Sequence, residues 1–139
     1  TSDMYWAEER LGGERLKRAY PWRSLIESGV YVTGGSDAPV EYPNPLEGIY
    51  AATTRQDKHK WPENGWQPEE RMTLDMAIKS YTEWPSYASF EESFKGKIKE
   101  GFYADFTVLD KPMKKNNIDM ILNTKVTYTI VNGEVVYRK

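Results

Sequence analysis

Apolar residues recur at every third or fourth position between residues 14 and 28, which is the spacing of one face of a helix. Pro21 interrupts this run, and proline suits the first turn of a helix but not its interior. The pattern therefore predicts two short helices, of which the second begins at Pro21 and ends at Gly29 as its C-terminal cap.

A short apolar run at residues 30–33 follows Gly29. The run is β-branched and too short for a helix, so we predict a buried strand. Two glycines come next, then Ser36 and Asp37, with Pro39 fixing the exit. The predicted strand is thus followed at its end by one carboxylate, that of Asp37. A helix, a glycine turn and a strand together form half of an α/β repeat.

Two more helices are predicted where a capping residue precedes a helical apolar face. Asn44 caps the first, which has a proline at its first position and an apolar face at residues 46, 49, 50 and 53. Thr73 caps the second, whose face is at residues 74, 77, 78 and 81. The charged, proline-containing segment 56–70 between them is predicted to be a long surface loop, and loops of this length are often functional.

Alternation with a period of two replaces helical spacing towards the end of the chain. Residues 104–108 and 126–130 alternate apolar and polar side chains, and a short helix is predicted at 117–122. Asn132-Gly133 between β-branched runs predicts a hairpin with a type I′ turn. Because one strand makes no sheet and three strands are only marginally stable, both halves of the chain are expected to lack partners.

Composition limits the possible functions. The 139 residues are too few for a complete α/β barrel of about 250, and they hold 19 basic and 21 acidic side chains for a net charge of −2. Neither sign clusters, so no nucleic-acid partner is expected, and no apolar run approaches the roughly 18 residues of a membrane span. The absence of cysteine excludes disulfides and is compatible with both oxidising and reducing compartments. We expect a cytoplasmic location. The chain opens at Thr1 without an initiator methionine, and we expect it to belong to something longer.

Two interpretations stay open for each candidate residue. Asp37 is either a catalytic carboxylate or a turn residue that accepts backbone hydrogen bonds. Ser36 is a turn hydroxyl or one that supports Asp37, and not a nucleophile, because no Gly-x-Ser-x-Gly elbow surrounds it. His59 is expected to be solvated, since its neighbours offer no metal ligand at a useful spacing.

The other candidates are an arginine and two tryptophans, each considered for the wall of a pocket. Arg55 either orients a substrate carbonyl or compensates the dipole at the end of its helix. Trp61 and Trp66 either line a hydrophobic pocket or pack within the fold.

Five segments, in order, resemble the C-terminal part of the metal-dependent amidohydrolases of the amidohydrolase-3 group, which include enzymes related to N-substituted formamide deformylase. They are residues 34–40, 45–55, 65–71, 101–110 and 129–137, with the sequences GGSDAPV, PLEGIYAATTR, GWQPEER, GFYADFTVLD and TIVNGEVVY.

The resemblance implies an α/β fold: the C-terminal fragment of a (β/α)8 barrel plus the C-terminal strands of a small β-sandwich built from both chain ends. Residues 1–93 would be the barrel segment after strand seven, with residues 30–33 as the last strand, and residues 94–139 the C-terminal share of the sandwich. Asp37 falls on an aspartate that approaches or binds the metal, takes a proton from water and passes it to the departing amine.

The metal ligands of the family's earlier strands are absent from this chain. We therefore expect a divalent metal, most simply zinc, in the full-length enzyme, with weak or no binding by this fragment, which alone is expected to be inactive. The implied partners are a small amide-like substrate, bound by Arg55, Trp61 and Trp66, and the N-terminal part of the same protein. The alternative is a non-catalytic, aromatic-rich binding or structural module, and the oligomeric state stays open.

Overall fold

The computed structural model describes residues 1–139, with helices in the first two thirds of the chain and a small sheet at its end. The six α-helices are α1 (Ala7–Leu11), α2 (Gly13–Leu16), α3 (Trp22–Glu27), α4 (Pro45–Thr54), α5 (Leu74–Ser80) and α6 (Glu83–Ala88). Three 3₁₀ helices span Asp3–Tyr5, Pro68–Glu70 and Ile118–Asn123. The strands are β1 (Phe106–Leu109), β2 (Val126–Val131) and β3 (Glu134–Arg138). A mixture of helices and a small antiparallel sheet is consistent with a fragment of an α/β protein.

The capping signals of the two longest helices are confirmed. The Asn44 side chain accepts a hydrogen bond of 3.1 Å from the backbone N–H of Leu46 at the start of α4. The Thr73 hydroxyl accepts one of 3.2 Å from the backbone N–H of Met76 at the start of α5. Each cap satisfies a backbone donor that the first turn of a helix leaves unpaired.

The strand predicted at residues 30–33 does not form in this chain by itself. Gly29 ends α3 as predicted, with φ 96°, and the N–H of Val30 returns to the Leu25 carbonyl oxygen at 3.2 Å. The following residues belong to no helix or sheet, and Tyr31 is 54% exposed. A strand needs a neighbour for its backbone hydrogen bonds, and residues 31–33 make no backbone hydrogen bond to another segment.

Two helical predictions differ in detail. The helix predicted before Pro21 covers only Gly13–Leu16, and α1 was not predicted because neither its first residue nor Trp6 before it carries a capping side chain. The helix predicted at 117–122 forms as the 3₁₀ helix Ile118–Asn123.

The sheet is a three-stranded antiparallel meander in the order β1-β2-β3. The predicted type I′ turn is confirmed, since Asn132 and Gly133 both have positive φ, 51° and 83°. Every residue of β3 is exposed. The sheet therefore has one strand with little cover on either face.

The core joins sequence regions that lie far apart. Its fully packed members come from α4, from the segment that begins α5, and from the 3₁₀ helix near the end of the chain: Ile49, Tyr50, Met72, Leu74, Ala77 and Ile121. Ile121 is completely buried although it precedes the second strand of the sheet. The helical part and the C-terminal part thus share one interior, and a domain division near residue 93 stays a prediction.

None of the helices is long and apolar enough to cross a membrane.

Candidate functional site

An open cleft of about 920 Å³ lies between the N-terminal residues, segment 32–45 and helix α4. Five of the residues singled out in the sequence line it: Ser36, Asp37, Arg55, His59 and Trp66. Trp61 does not. The fold therefore gathers the predicted carboxylate, arginine and one tryptophan around a common space.

Asp37 lies in a tight turn at the rim of this cleft. Backbone atoms close the turn: the Val40 N–H donates to the Asp37 carbonyl oxygen at 2.9 Å, and the Glu41 N–H donates to the Ser36 carbonyl oxygen at 3.0 Å. Asp37 itself has φ 49°, a left-handed conformation that is uncommon outside glycine, and its side chain is exposed. The carboxylate is thus left free for a ligand, while main-chain groups stabilise the turn.

Ser36 is half-buried behind Asp37. Its carbonyl oxygen holds the turn, as described, and this contact gives it a structural part in presenting the carboxylate.

Glu41 ties the Asp37 turn to the start of the chain, a contact that the sequence analysis missed. Its carboxylate accepts hydrogen bonds from the Ser2 N–H at 2.7 Å, from the Ser2 hydroxyl at 2.8 Å and from the Thr1 amino group at 3.0 Å. Burial acts to raise the pKa of Glu41, but these donors and the positive charge lower it to about 2. No local pattern signals a partner 39 residues away.

Arg55 and Trp66 form the wall on the other side of the cleft. Arg55 ends α4 in a left-handed conformation and is only 8% exposed. Its Nε donates to the Trp66 carbonyl oxygen at 3.0 Å, its backbone carbonyl oxygen accepts from the Trp66 N–H at 2.8 Å, and its guanidinium lies 5.2 Å from the indole ring centre. Burial lowers the pKa of Arg55, whereas Glu70 and Glu69 oppose this. Nη2 is buried without a partner, which leaves one strong donor unused.

The loop that carries both tryptophans is internally bonded. The Gln56 side-chain amide donates to the carbonyl oxygens of Lys60, Pro62 and Glu63, at 3.0, 2.9 and 2.9 Å. Gly65 has φ 73°, and a Cβ there would lie 2.3 Å from the Thr54 carbonyl oxygen, so only glycine fits. Loop 56–70 is therefore an ordered element that fixes Trp66 in place.

Trp61 is not among the residues that line the cleft, and its part in substrate binding stays a prediction. It is 51% exposed and stacks on Tyr5, with ring centres 5.1 Å apart and planes 10° from parallel. The Tyr5 hydroxyl donates to Asp57 at 2.5 Å, and Asp57 also accepts from the backbone N–H groups of His59 and Trp61. This stack joins the loop to the N-terminal segment.

The residues of this chain do not by themselves fit a catalytic metal. No three His, Asp or Glu side chains lie close enough together to hold an ion. A catalytic zinc usually has three protein ligands. The cleft is lined by His59, which is solvated as predicted, by Asp37 and by four other carboxylates, those of Asp3, Glu41, Glu47 and Asp57, but no three of these groups come together.

Comparison with known proteins assigns most of the chain to one family model. The model described as the amidohydrolase family matches residues 1–137. No solved structure matches the chain.

Three curated proteins are similar along nearly the whole chain. A Bacillus subtilis (strain 168) protein named amidohydrolase YtcJ is 38% identical over 99% of this chain and 26% of its own length. The N-substituted formamide deformylase of Arthrobacter pascens is 32% identical over 91% of this chain and 22% of its own length. Protein LONG AFTER FAR-RED 3 of Arabidopsis thaliana is 31% identical over 93% of this chain and 22% of its own length. The chain spans about a quarter of the length of these relatives.

Proposed function

This chain belongs to the amidohydrolase family, in the amidohydrolase-3 group, and from this premise we propose that it forms the C-terminal part of an enzyme that hydrolyses an amide-like C–N bond. The observation that carries the proposal is the Asp37 turn, which holds an exposed carboxylate at the rim of the large cleft in a left-handed conformation. Uncommon backbone conformations that the surroundings stabilise are typical of functional sites.

In the proposed reaction Asp37 carries a proton. Its carboxylate takes the proton of the water that attacks the amide carbonyl carbon, and then gives that proton to the amine nitrogen as the C–N bond breaks. The products are a carboxylic acid and an amine, and the carboxylate is regenerated. The relative from Arthrobacter pascens is named for N-substituted formamides, and for that substrate the acid would be formate.

A divalent metal, most simply zinc, would polarise the carbonyl group in the full-length enzyme. This chain would contribute Asp37 to the metal site, and the other ligands would lie in the part of the protein outside it. The chain alone is therefore expected to be inactive and to hold metal weakly.

The proposed architecture follows the family. Residues 1–93 would complete a (β/α)8 barrel, in which residues 30–33 become its last strand, and residues 94–139 would complete a β-sandwich. The exposed side chains of Val30, Tyr31 and Val40, and the uncovered strand β3, support this proposal because partner strands would bury them.

The substrate would lie between Asp37 and the wall of Arg55 and Trp66. Trp66 would contact an apolar group of the substrate, Ser36 would support the turn that presents Asp37, and Arg55 would hold the wall. Trp61 would act only if the substrate extends beyond the cleft to the outer face of its stack with Tyr5.

The test is Asp37→Asn in the full-length protein, with amine release from N-benzylformamide and from N-acetyl amino acids as the assay. We expect the rate to fall by about 10²-fold or more, since general acid–base catalysis contributes that much. Asp75→Asn, which removes an exposed carboxylate on α5 that pairs with Lys79, is the matched control and should retain the rate.

Retention of the rate within about tenfold in Asp37→Asn would contradict the assignment of the proton carrier. The alternative, a non-catalytic binding module, predicts a different result. The full-length protein would then bind these amides without hydrolysing them, and Asp37→Asn would bind them equally well. Zinc bound tightly and one-to-one by the isolated chain would contradict the proposed division of metal ligands.

A further inference from the structure

Tyr81 follows α5, and its ring lies against two glycines from different parts of the chain. A Cβ added to Gly34 would lie 2.6 Å from Cε2 of Tyr81, and one added to Gly48 would lie 2.0 Å from its hydroxyl oxygen. Cβ atoms essentially never lie closer than 3.0 Å to another heavy atom of this kind. Neither glycine can therefore gain a side chain while the ring stays where it is.

The backbone does not require glycine at either position. The glycines with positive φ are Gly12, Gly29, Gly65, Gly96, Gly101 and Gly133, and neither Gly34 nor Gly48 is among them. Gly48 lies in the interior of α4, where glycine costs about 1 kcal/mol relative to alanine. A glycine inside a good helix is thus the sequence signal for a close contact, and the structure identifies Tyr81 as that contact.

The two glycines bracket the segment that carries Asp37. Gly34 lies three residues before Asp37, and Gly48 lies in α4, where the segment has joined the core. The Gly34 N–H also donates to the Ser80 carbonyl oxygen at 2.7 Å, so the end of α5 holds the entrance of the segment through both a hydrogen bond and the ring. Both ends of the segment that carries Asp37, at Gly34 and at Gly48, therefore contact the ring of Tyr81.

We propose that Tyr81 is a positioning residue, whose ring sets the separation between Gly34 and Gly48 and through it the place of the Asp37 carboxylate in the cleft. This inference rests on the proposed function for the chemistry of Asp37. The contact of Tyr81 with Gly34 and Gly48 does not depend on that function. Burial raises the pKa of the Tyr81 phenol, so the group stays protonated and neutral and acts by its shape.

The first experiment measures kcat and KM for the full-length protein with the amide substrate that it hydrolyses. Tyr81→Ala should lower kcat by about 10-fold to 10²-fold with a smaller change in KM, because a misplacement of about 1 Å costs that much. Tyr81→Phe keeps the ring and should restore most of kcat relative to Tyr81→Ala. Tyr103→Ala, which removes a half-exposed tyrosine that packs on Phe94, is the matched control.

The second experiment uses the different atoms that each glycine meets. Gly48→Ala should lower kcat, and adding Tyr81→Phe should recover part of the loss because it removes the oxygen that the new methyl group meets. Gly34→Ala meets ring carbons, so adding Tyr81→Phe should not recover it. Equal recovery in both pairs, or in neither, would overturn the proposed contact.

Amide hydrogen exchange at residues 34–44 of the full-length protein separates this proposal from the proposed function. Tyr81→Ala should accelerate exchange there, relative to Tyr103→Ala, whether or not the protein hydrolyses amides. Unchanged exchange would overturn the proposal. Faster exchange with an unaltered kcat would also overturn it, because Tyr81 would then stabilise the segment without positioning the carboxylate.

Discussion

The Glu70 carboxylate accepts hydrogen bonds from both the hydroxyl and the backbone N–H of Ser24, the latter at 3.0 Å. Ser24 lies in the first turn of α3, a helix with no capping side chain of its own. A residue 46 positions away thus supplies the acceptor, and a carboxylate also interacts favourably with the positive end of the helix dipole.

Glu70→Ala should therefore loosen α3. A hydrogen bond to a charged acceptor is worth about 1.5–3 kcal/mol, which corresponds to roughly 10-fold to 10²-fold faster local exchange. Hydrogen exchange at the α3 amides of the full-length protein checks this. Glu69→Ala removes the neighbouring exposed carboxylate as a control, and equal exchange in the two variants would contradict the capping role.

In the isolated chain, whose free amino group is that of Thr1, Glu41 should make the attachment of the first two residues sensitive to acid. Its pKa is about 2 in this folded chain against an ordinary 4.5, so the folded state binds this proton less readily than the unfolded state does. The stabilisation is then fully present above pH 4.5 and is lost as the pH falls towards 2. Carboxyl NMR titration of Glu41 checks the value directly.

Glu41→Gln should remove this part of the acid dependence of unfolding, whereas Glu63→Gln, on the exposed loop, should leave it in place. An acid transition between pH 4.5 and 2 that is the same in both variants would show that the Glu41 contacts contribute nothing to it.

Arg55→Lys should loosen loop 56–70 and weaken substrate binding. Lysine keeps the charge but lacks the planar Nε donor that bonds the Trp66 carbonyl oxygen and stacks beside the indole. We expect KM to rise about fivefold, with kcat changed by less than about twofold, because Trp66 binds without reacting. Arg23→Lys, in an exposed pair with Glu27, is the control. A fall in kcat at constant KM would instead place Arg55 at the reacting carbonyl group.

Gly133→Ala should destabilise the hairpin by about 1 kcal/mol. The new methyl group would meet only Ala104 at 3.9 Å, so the cost would come from the φ of 83° and not from a clash. Faster hydrogen exchange in β2 and β3 is the measurement. Asn132→Gly is the control: glycine keeps positive φ accessible, so this variant should change the stability of the hairpin little. An equal loss of stability in both variants would instead point to the Asn132 side chain.

Local features of this fold were predictable because their causes lie within a few residues. The caps at Asn44 and Thr73, the end of α3 at Gly29 and the turn at Asn132 each depend on one side chain or one φ value. The same holds for the presence of Asp37 in a turn, although the freedom of its carboxylate from the turn's backbone hydrogen bonds appeared only in the structure.

Features that need a distant partner were not predictable in the same way. The segment at residues 30–33 has the composition of a strand, but a sheet requires neighbours that this chain does not place beside it. Trp61 stacks on Tyr5 instead of lining the cleft, and Glu41 bonds to Ser2, because tertiary contacts decide where these side chains lie. The glycine in α4 was the one local sign of such a contact.

The burial of Ile121 with Ile49 and Ala77 also has a consequence for synthesis on the ribosome. Helices α4 and α5 are made before the segment around Ile121, so their shared interior stays open on one side until that segment has left the exit tunnel. Domains usually fold as units during translation, in the order in which they emerge. This region instead has to wait for the segment around Ile121 with its apolar side chains unprotected, which makes the nascent chain a candidate for chaperone binding during that interval.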